Sequence, residues 1–146
     1  MKVDHKNKRS VEVFDEEWKS LRYNQTSGLY KRGSFHQVEV FKINRQRVLL
    51  EKFENEYGKK VLHCGCGTGQ WSLFLAREGY HVVNLDLSQT ALDITKEKFE
   101  AEGLNGEFIY GDMTSLPFDD NDFDIITSFG VMEHFESITA PMTEMF

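Results

Sequence analysis

From about residue 60 onward, short apolar runs alternate with stretches in which apolar residues recur at helical spacing. The runs are typical of buried strands and lie at about 60–64, 81–85, 107–110 and 123–128. Helical spacing occurs at 70–78 and at 89–102, and a glycine follows each stretch, as is common at helix ends. Strands that alternate with helices indicate parallel βαβ units with right-handed crossovers. This part of the chain is therefore predicted to be α/β.

The first 57 residues have a different pattern. Residues 1–10 are polar, helical periods occupy 11–22 and 35–57, and a glycine-containing loop is predicted between them at 24–33. Tyr23, Tyr30 and Phe35 lie in or beside this loop. Two interpretations remain, a lid over a ligand or packing against the sheet, and packing is favoured. We therefore divide the chain into an N-terminal helical segment, residues 1–57, and a core, residues 58–146.

The strand at 60–64 ends in a glycine-rich turn, with Gly65, Gly67 and Gly69 at alternate positions. A helix follows at once. Glycine accepts positive φ and has no Cβ, so this backbone can turn sharply and lie close to a ligand. Asp86 follows the second strand, 21 residues after Gly65, about the distance at which an acid contacts a nucleotide ribose. The pattern predicts a nucleotide site at the carboxyl ends of the strands.

The glycine spacing distinguishes between nucleotides. A dinucleotide fingerprint would need its third glycine at Gln70 or Ser72, which disfavours a nicotinamide-dependent oxidoreductase. The run from Val61 to Gly69, Val-Leu-His-Cys-Gly-Cys-Gly-Thr-Gly, instead resembles motif I of the class I S-adenosylmethionine-dependent methyltransferases. The resemblance extends to about Phe135. It implies a Rossmann-like, doubly wound parallel sheet preceded by N-terminal helices.

The sheet of that family has seven strands, whereas the sequence predicts about four. We therefore expect the chain to be the N-terminal part of a longer, C-terminally truncated methyltransferase. The fourth strand would then be an apolar open edge, and such an edge tends to pair with another chain, for example by self-association. The last stretch, 131–146, is predicted to be a short helix broken near Pro141.

The resemblance also implies where S-adenosylmethionine binds. The glycine turn would pass the methionine part, Asp86 would hold both ribose hydroxyls, and Leu87 would lie against the adenine. Asp112 would contact the adenine amino group, with Met113 beside the ring. Two simpler roles stay open: a helix cap for Asp86 and an ordinary turn residue for Asp112. The predicted cofactor-binding residues are His63, Gly65, Cys66, Gly67, Gly69, Asp86, Leu87, Asp112, Met113 and Ser128.

His63 departs from the family pattern, which usually has Asp or Glu at this position. The usual acid places negative charge near the cationic methionine end of the cofactor. A neutral imidazole can form a hydrogen bond but does not supply that charge. We therefore expect weaker binding of S-adenosylmethionine than is normal for the family.

Methyl transfer from a sulfonium mainly requires that the acceptor be positioned and water excluded. A general base is needed only if the acceptor loses a proton. His134 is the first candidate and Glu133 the second; packing or capping explains either residue about as well. Asp119, Asp120 and Asp122 are expected to face solvent, and no metal is expected. The acceptor is predicted to be a small molecule.

The chain has 146 residues and a formal net charge of −7, which argues against a general nucleic-acid binder. No apolar run reaches membrane-spanning length and no signal peptide is recognisable, so we expect a cytoplasmic protein.

Cys64 and Cys66 are the two cysteines. Each suits a reactive thiol or a metal ligand, but packing near the glycine turn is favoured. The alternative function is a non-catalytic binding module with the same fold.

Overall fold

A computed structural model of the protein describes residues 59–146 and, in the N-terminal segment, residues 12, 13, 15, 16 and 19. These five residues are helical, in agreement with the helix predicted at 11–22. The predicted loop at 24–33, the predicted helix at 35–57 and the aromatic residues Tyr23, Tyr30 and Phe35 lie outside the described residues.

The described core has four strands and three α-helices. In chain order they are β1 (Lys60–Cys64), α1 (Gln70–Arg77), β2 (His81–Asp86), α2 (Gln89–Ala101), β3 (Glu107–Tyr110), β4 (Ile125–Ser128), a 3-10 helix (Met132–His134) and α3 (Thr139–Met145). The strand order is β3-β2-β1-β4, and every pair is parallel. The predicted Rossmann-like α/β fold is confirmed. Among the described residues, β4 pairs with β1 alone, so its other side is an open edge.

Alternation along the two central strands produces two apolar layers, because successive side chains point to opposite faces of a sheet. On one face, Val61 and Val82 pack against Phe74 and Leu75 of α1. The opposite face has its own buried cluster, which consists of Leu62, Cys64, Val83, Leu85 and Met113. The chain on either side of β4, together with the end of α3, covers this second cluster. Both faces of β1 and β2 are therefore buried, and the two strands form a rigid base for whatever binds at their carboxyl ends.

Two predicted boundaries are wrong. The fourth strand begins at Ile125, not at Phe123. Asp124 instead lies just before the strand, and its carboxylate accepts a hydrogen bond from the Lys60 amide at 2.7 Å. Pro141 does not break the last helix, because it is the third residue of α3 and lies in the first turn, where no amide needs an intrahelical acceptor. The helical structure is interrupted before α3, between His134 and Thr139.

No helix in the described part of the chain is long and apolar enough to span a membrane.

Candidate cofactor site

The glycine turn between β1 and α1 has the backbone shape that its sequence predicts. Gly65, Gly67 and Gly69 have φ values of 70°, 52° and 75°, in the region that favours glycine. The Gly65 amide donates a hydrogen bond to the Leu85 carbonyl at 2.7 Å, which fixes the turn to the end of β2. A Cβ on Gly65 would overlap the side chain of Val131, in the segment after β4. The turn therefore lies between the carboxyl ends of β2 and β4 and has no room for a side chain at Gly65.

Asp86 connects the end of β2 to the glycine turn. Its Oδ2 accepts a hydrogen bond from the Gly67 amide and its Oδ1 accepts one from the Ser88 amide, both at 2.9 Å. Burial raises the pKa of Asp86, and the nearby charge of Asp15 acts in the same direction, whereas the amide hydrogen bonds lower it. Each carboxylate oxygen has two lone pairs, so both can accept further donors such as ribose hydroxyls. Ser88, not Asp86, is the N-cap of α2, because Ser88 Oγ accepts from the Ala91 amide at 3.1 Å.

Helix α2 supports the turn from behind. Thr95 Oγ1 donates to the Gly67 carbonyl at 3.0 Å, and Lys98 Nζ donates to the Thr68 carbonyl at 2.7 Å. Neither Thr95 nor Lys98 is among the site residues predicted from the sequence. The two residues are three positions apart, which places both on one face of the helix. This spacing is the feature of the sequence that could have indicated a shared role. These bonds orient two carbonyls toward α2 and so help to hold the turn in one conformation.

His63 is fully buried beneath the turn. Its Nδ1 lies 2.9 Å from Ser72 Oγ in α1, and its ring packs edge-on against Phe129 at a centroid distance of 5.9 Å. Nε2 is buried and has no hydrogen-bond partner among the described residues. Burial lowers the pKa of His63 to about 4, so the imidazole is neutral near pH 7. The side chain that replaces the usual acid therefore carries no charge.

The buried imidazole predicts a specific loss of stability in acid. The unfolded chain binds a proton at the ordinary pKa of 6.5, whereas the folded chain does not bind it until about pH 4. The free energy of unfolding should therefore be unaffected by this group above pH 6.5 and fall by roughly 3 kcal/mol between pH 6.5 and 4. Urea denaturation across this range should show a shallower pH dependence for His63→Gln. His81→Gln, a substitution at an exposed histidine, is the control. If the free energy of unfolding has the same slope against pH in wild type and His63→Gln, the prediction is contradicted.

The two cysteines are packing residues. Both side chains are buried, and burial raises the pKa of the Cys64 thiol to about 12 and that of the Cys66 thiol further. A protonated, buried thiol is a poor nucleophile and a poor metal ligand. Burial agrees with the favoured interpretation of both cysteines as packing residues, and the cofactor-binding role of Cys66 stays a prediction. Among the described residues, no group of histidines, cysteines and acids is arranged to hold a metal ion.

The other predicted cofactor residues lie at or near the same edge of the sheet. Asp112 follows β3, and its Oδ1 accepts hydrogen bonds from the Thr114 amide and hydroxyl at 2.8 and 2.7 Å. The Met113 side chain is buried in the core cluster that includes Leu62 and Cys64. Leu87 is half-buried. Ser128 ends β4, and its Oγ is buried with no hydrogen-bond partner among the described residues.

Glu133 and His134 lie in the short 3-10 helix that follows β4, and both are exposed. A Cβ on Gly130 would lie 3.9 Å from Glu133 Oε1, so the Glu133 carboxylate lies near Gly130, the second residue after β4. The catalytic role of Glu133 and His134 stays a prediction.

The residues at this edge fit a nucleoside that carries a polar tail. A turn closed to a Cβ at Gly65 and Gly69, a carboxylate with free acceptor capacity and an orphaned buried hydroxyl meet at the ends of β1, β2 and β4. Glycine lets a ligand approach the backbone closely, a carboxylate can accept from ribose hydroxyls, and a hydroxyl can form a hydrogen bond with a polar group of the ligand. The buried Nε2 of His63 adds a second orphaned polar atom below the turn.

Comparisons with known proteins agree with this geometry. A family model described as a methyltransferase domain matches residues 61–146. The demethylmenaquinone methyltransferase of Staphylococcus saprophyticus is 33% identical over 109 residues, which cover 72% of this chain and 46% of that protein. The chain therefore spans about half the length of that curated relative.

Solved structures show the same fold. A SAM-dependent methyltransferase from Aquifex aeolicus superposes with a TM-score of 0.59 at 23% identity, over 68% of this chain and 55% of that one. The cyclase SpnF superposes with a TM-score of 0.66 at 26% identity, over 78% of this chain and 42% of that one. Since the family model covers more than half of the sequence, this chain belongs to the class I S-adenosylmethionine-dependent methyltransferases.

Proposed function

We propose that this chain contributes the cofactor-binding part of an enzyme that transfers a methyl group from S-adenosylmethionine to a small-molecule acceptor. The junction between Gly67 and Asp86 carries the proposal, because it joins the glycine turn to the acid at the end of the neighbouring strand. In this proposal residues 58–146 form the core, and residues 1–57 form an N-terminal helical segment.

The proposed contacts to the cofactor follow the order of the strands. The glycine turn after β1 lies along the methionine part, and Asp86 after β2 accepts from both ribose hydroxyls. Leu87 contacts the adenine, and Asp112 after β3 accepts from its amino group. The hydrogen bonds from Thr114 to Asp112 Oδ1 support this assignment, because they orient the carboxylate and no described residue donates to its Oδ2.

In the proposed reaction the protein does not need to form a covalent bond to the substrate. When bound, the cofactor supplies an activated methyl group on a sulfonium. The chain then has to hold the acceptor in line and exclude water, which contributes through proximity and orientation. If the acceptor must lose a proton, His134 is the proposed general base and Glu133 the second choice. Both lie in the segment that follows the carboxyl end of β4, and the turn follows the carboxyl end of the parallel strand β1.

A small organic acceptor is the class that the observations favour. The relative from Staphylococcus saprophyticus is named for a small molecule, demethylmenaquinone. The net charge of −7 opposes binding to nucleic acid, whose phosphates would be repelled. The acceptor is proposed only as a class, because the matched part of this chain corresponds to 46% of that relative.

Calorimetric titration with S-adenosylmethionine and S-adenosylhomocysteine tests the cofactor site directly. We expect saturable binding of one molecule per chain for both ligands. A radiolabelled methyl-transfer assay over small phenolic, quinol and amine acceptors then tests the reaction class. A folded chain that binds neither ligand would contradict the proposal.

A non-catalytic binding module is the alternative. Two observations support it: one side of β4 pairs with no described strand, and the fold is similar to that of SpnF, a protein named as a cyclase rather than a methyltransferase. Such a module would use the open edge of β4 to pair with a partner strand, including one from a second copy of this chain. Binding of S-adenosylmethionine without methyl transfer to any acceptor, together with concentration-dependent dimerisation, would favour this alternative.

A further inference from the structure

The N-terminal segment makes a direct contact with the cofactor edge of the core. Ser88 Oγ donates to Asp15 Oδ1 at 2.6 Å across 73 residues of sequence. The Asp15 side chain is 26% exposed, whereas that of its neighbour Glu16 is 78% exposed. Asp15 is therefore on the face of the helical residues that meets the core, and Glu16 is on the solvent face.

Ser88 is the point at which this contact reaches the cofactor site. Its hydroxyl caps α2 by accepting from the Ala91 amide and also donates to Asp15. Its backbone amide donates to Asp86 Oδ1 at 2.9 Å. Asp15 is thus two hydrogen bonds away from the carboxylate proposed to hold the ribose. One residue holds both the helical segment and that carboxylate.

Electrostatics favour an ionised Asp15 at this position. The hydrogen bonds from Ser88 and Lys19 lower the pKa of Asp15 to about 2, so the carboxylate is charged at neutral pH. It also lies beside the amino-terminal end of the 13-residue helix α2, where negative charge is stabilised. A hydrogen bond from a hydroxyl to a carboxylate is among the stronger kinds in proteins. The opposing effect is repulsion of the Asp86 charge.

We propose that Asp15 is a positioning residue for the cofactor: by accepting from Ser88, it fixes the Asp86 carboxylate in its binding orientation. This inference rests on the proposed cofactor site and adds a residue from the N-terminal segment to it. A carboxylate that is held in place before binding loses less freedom when the ribose hydroxyls arrive. By reciprocity, bound cofactor stabilises the contact between Asp15 and Ser88.

Three single variants of the full chain test the proposal by calorimetric titration with S-adenosylhomocysteine. Asp15→Ala removes the acceptor, and we expect the affinity to fall by about threefold to tenfold. Asp15→Asn keeps a carbonyl acceptor and removes the repulsion of Asp86, so its affinity should stay within about twofold of wild type. Glu16→Ala is the matched control on the solvent face and should bind as wild type does.

Limited tryptic cleavage after Lys19 provides a second readout that general destabilisation would not reproduce. In wild type and Glu16→Ala, S-adenosylhomocysteine should slow this cleavage; in Asp15→Ala the ligand should have no such effect, while the thermal midpoint of the core is retained. Wild-type affinity and wild-type protection in Asp15→Ala would overturn this inference alone. Absence of binding by folded wild type would overturn it together with the proposed cofactor site.

Discussion

Replacing Asp86 with Ala should weaken the binding of S-adenosylmethionine by about tenfold to a hundredfold. The variant loses the acceptors for two ribose hydroxyls, and leaving polar groups without their partners costs about 1–3 kcal/mol. It also loses the two amide hydrogen bonds that Asp86 accepts from Gly67 and Ser88. The turn would then be less ordered before the ligand binds. Calorimetric titration of wild type and variant measures the difference.

The control separates the ligand contact from the general loss of a negative charge. Asp120 is an exposed acid in the segment before β4, and Asp120→Ala lowers the net negative charge by the same amount. It should leave the affinity within about twofold of wild type, because exposed charges at a distance are screened by salt. If Asp86→Ala and Asp120→Ala bind equally well, Asp86 does not hold the ribose. Thermal unfolding of each variant without ligand shows whether the turn itself has been destabilised.

The sequence predicts the sheet and the glycine turn because their signals are local. The bounds of β1 and β3 agree with the apolar runs, since charged or glycine residues flank those runs. Ser88 immediately precedes α2 and caps it, because its side chain accepts from the third following amide, a role that serine favours. Gly65 has positive φ, a conformation that glycine accepts without strain because it has no Cβ. In each case residues close in sequence determine the structure.

Other features depend on contacts that no local pattern contains. The hydrogen bond between Asp15 and Ser88 joins residues far apart in the chain, and either residue alone looks like an ordinary polar position. The sequence also shows that Met113 follows Asp112, but the core next to Leu62 decides which way the side chain points. The burial of His63 follows from its packing against α1 and the chain after β4. Tertiary packing supplies this information.

Replacing Gly65 with Ala should destabilise the fold and prevent tight binding of the cofactor. At a φ of 70°, an L-residue costs about 1–2 kcal/mol. The new Cβ would also overlap Val131 Cγ2 and lie 3.3 Å from Val131 Cβ, and overpacking of this kind costs about 1–3 kcal/mol. We expect the free energy of unfolding to fall by about 2–5 kcal/mol in urea titrations. Affinity for S-adenosylmethionine should fall more than tenfold, because relief of the overlap moves the turn.

Two comparisons separate backbone strain from steric overlap. Gly103 has a φ of 64°, and a Cβ there would meet no atom within 4 Å, so Gly103→Ala measures the strain alone. It should cost about 1–2 kcal/mol and leave cofactor affinity unchanged. The double variant Gly65→Ala/Val131→Ala removes the overlapping methyl groups and should recover part of the affinity. If Gly65→Ala costs no more than Gly103→Ala and binds the cofactor normally, the turn does not pack against the segment after β4. A larger cost that Val131→Ala relieves would show that this packing fixes the backbone on which the cofactor lies.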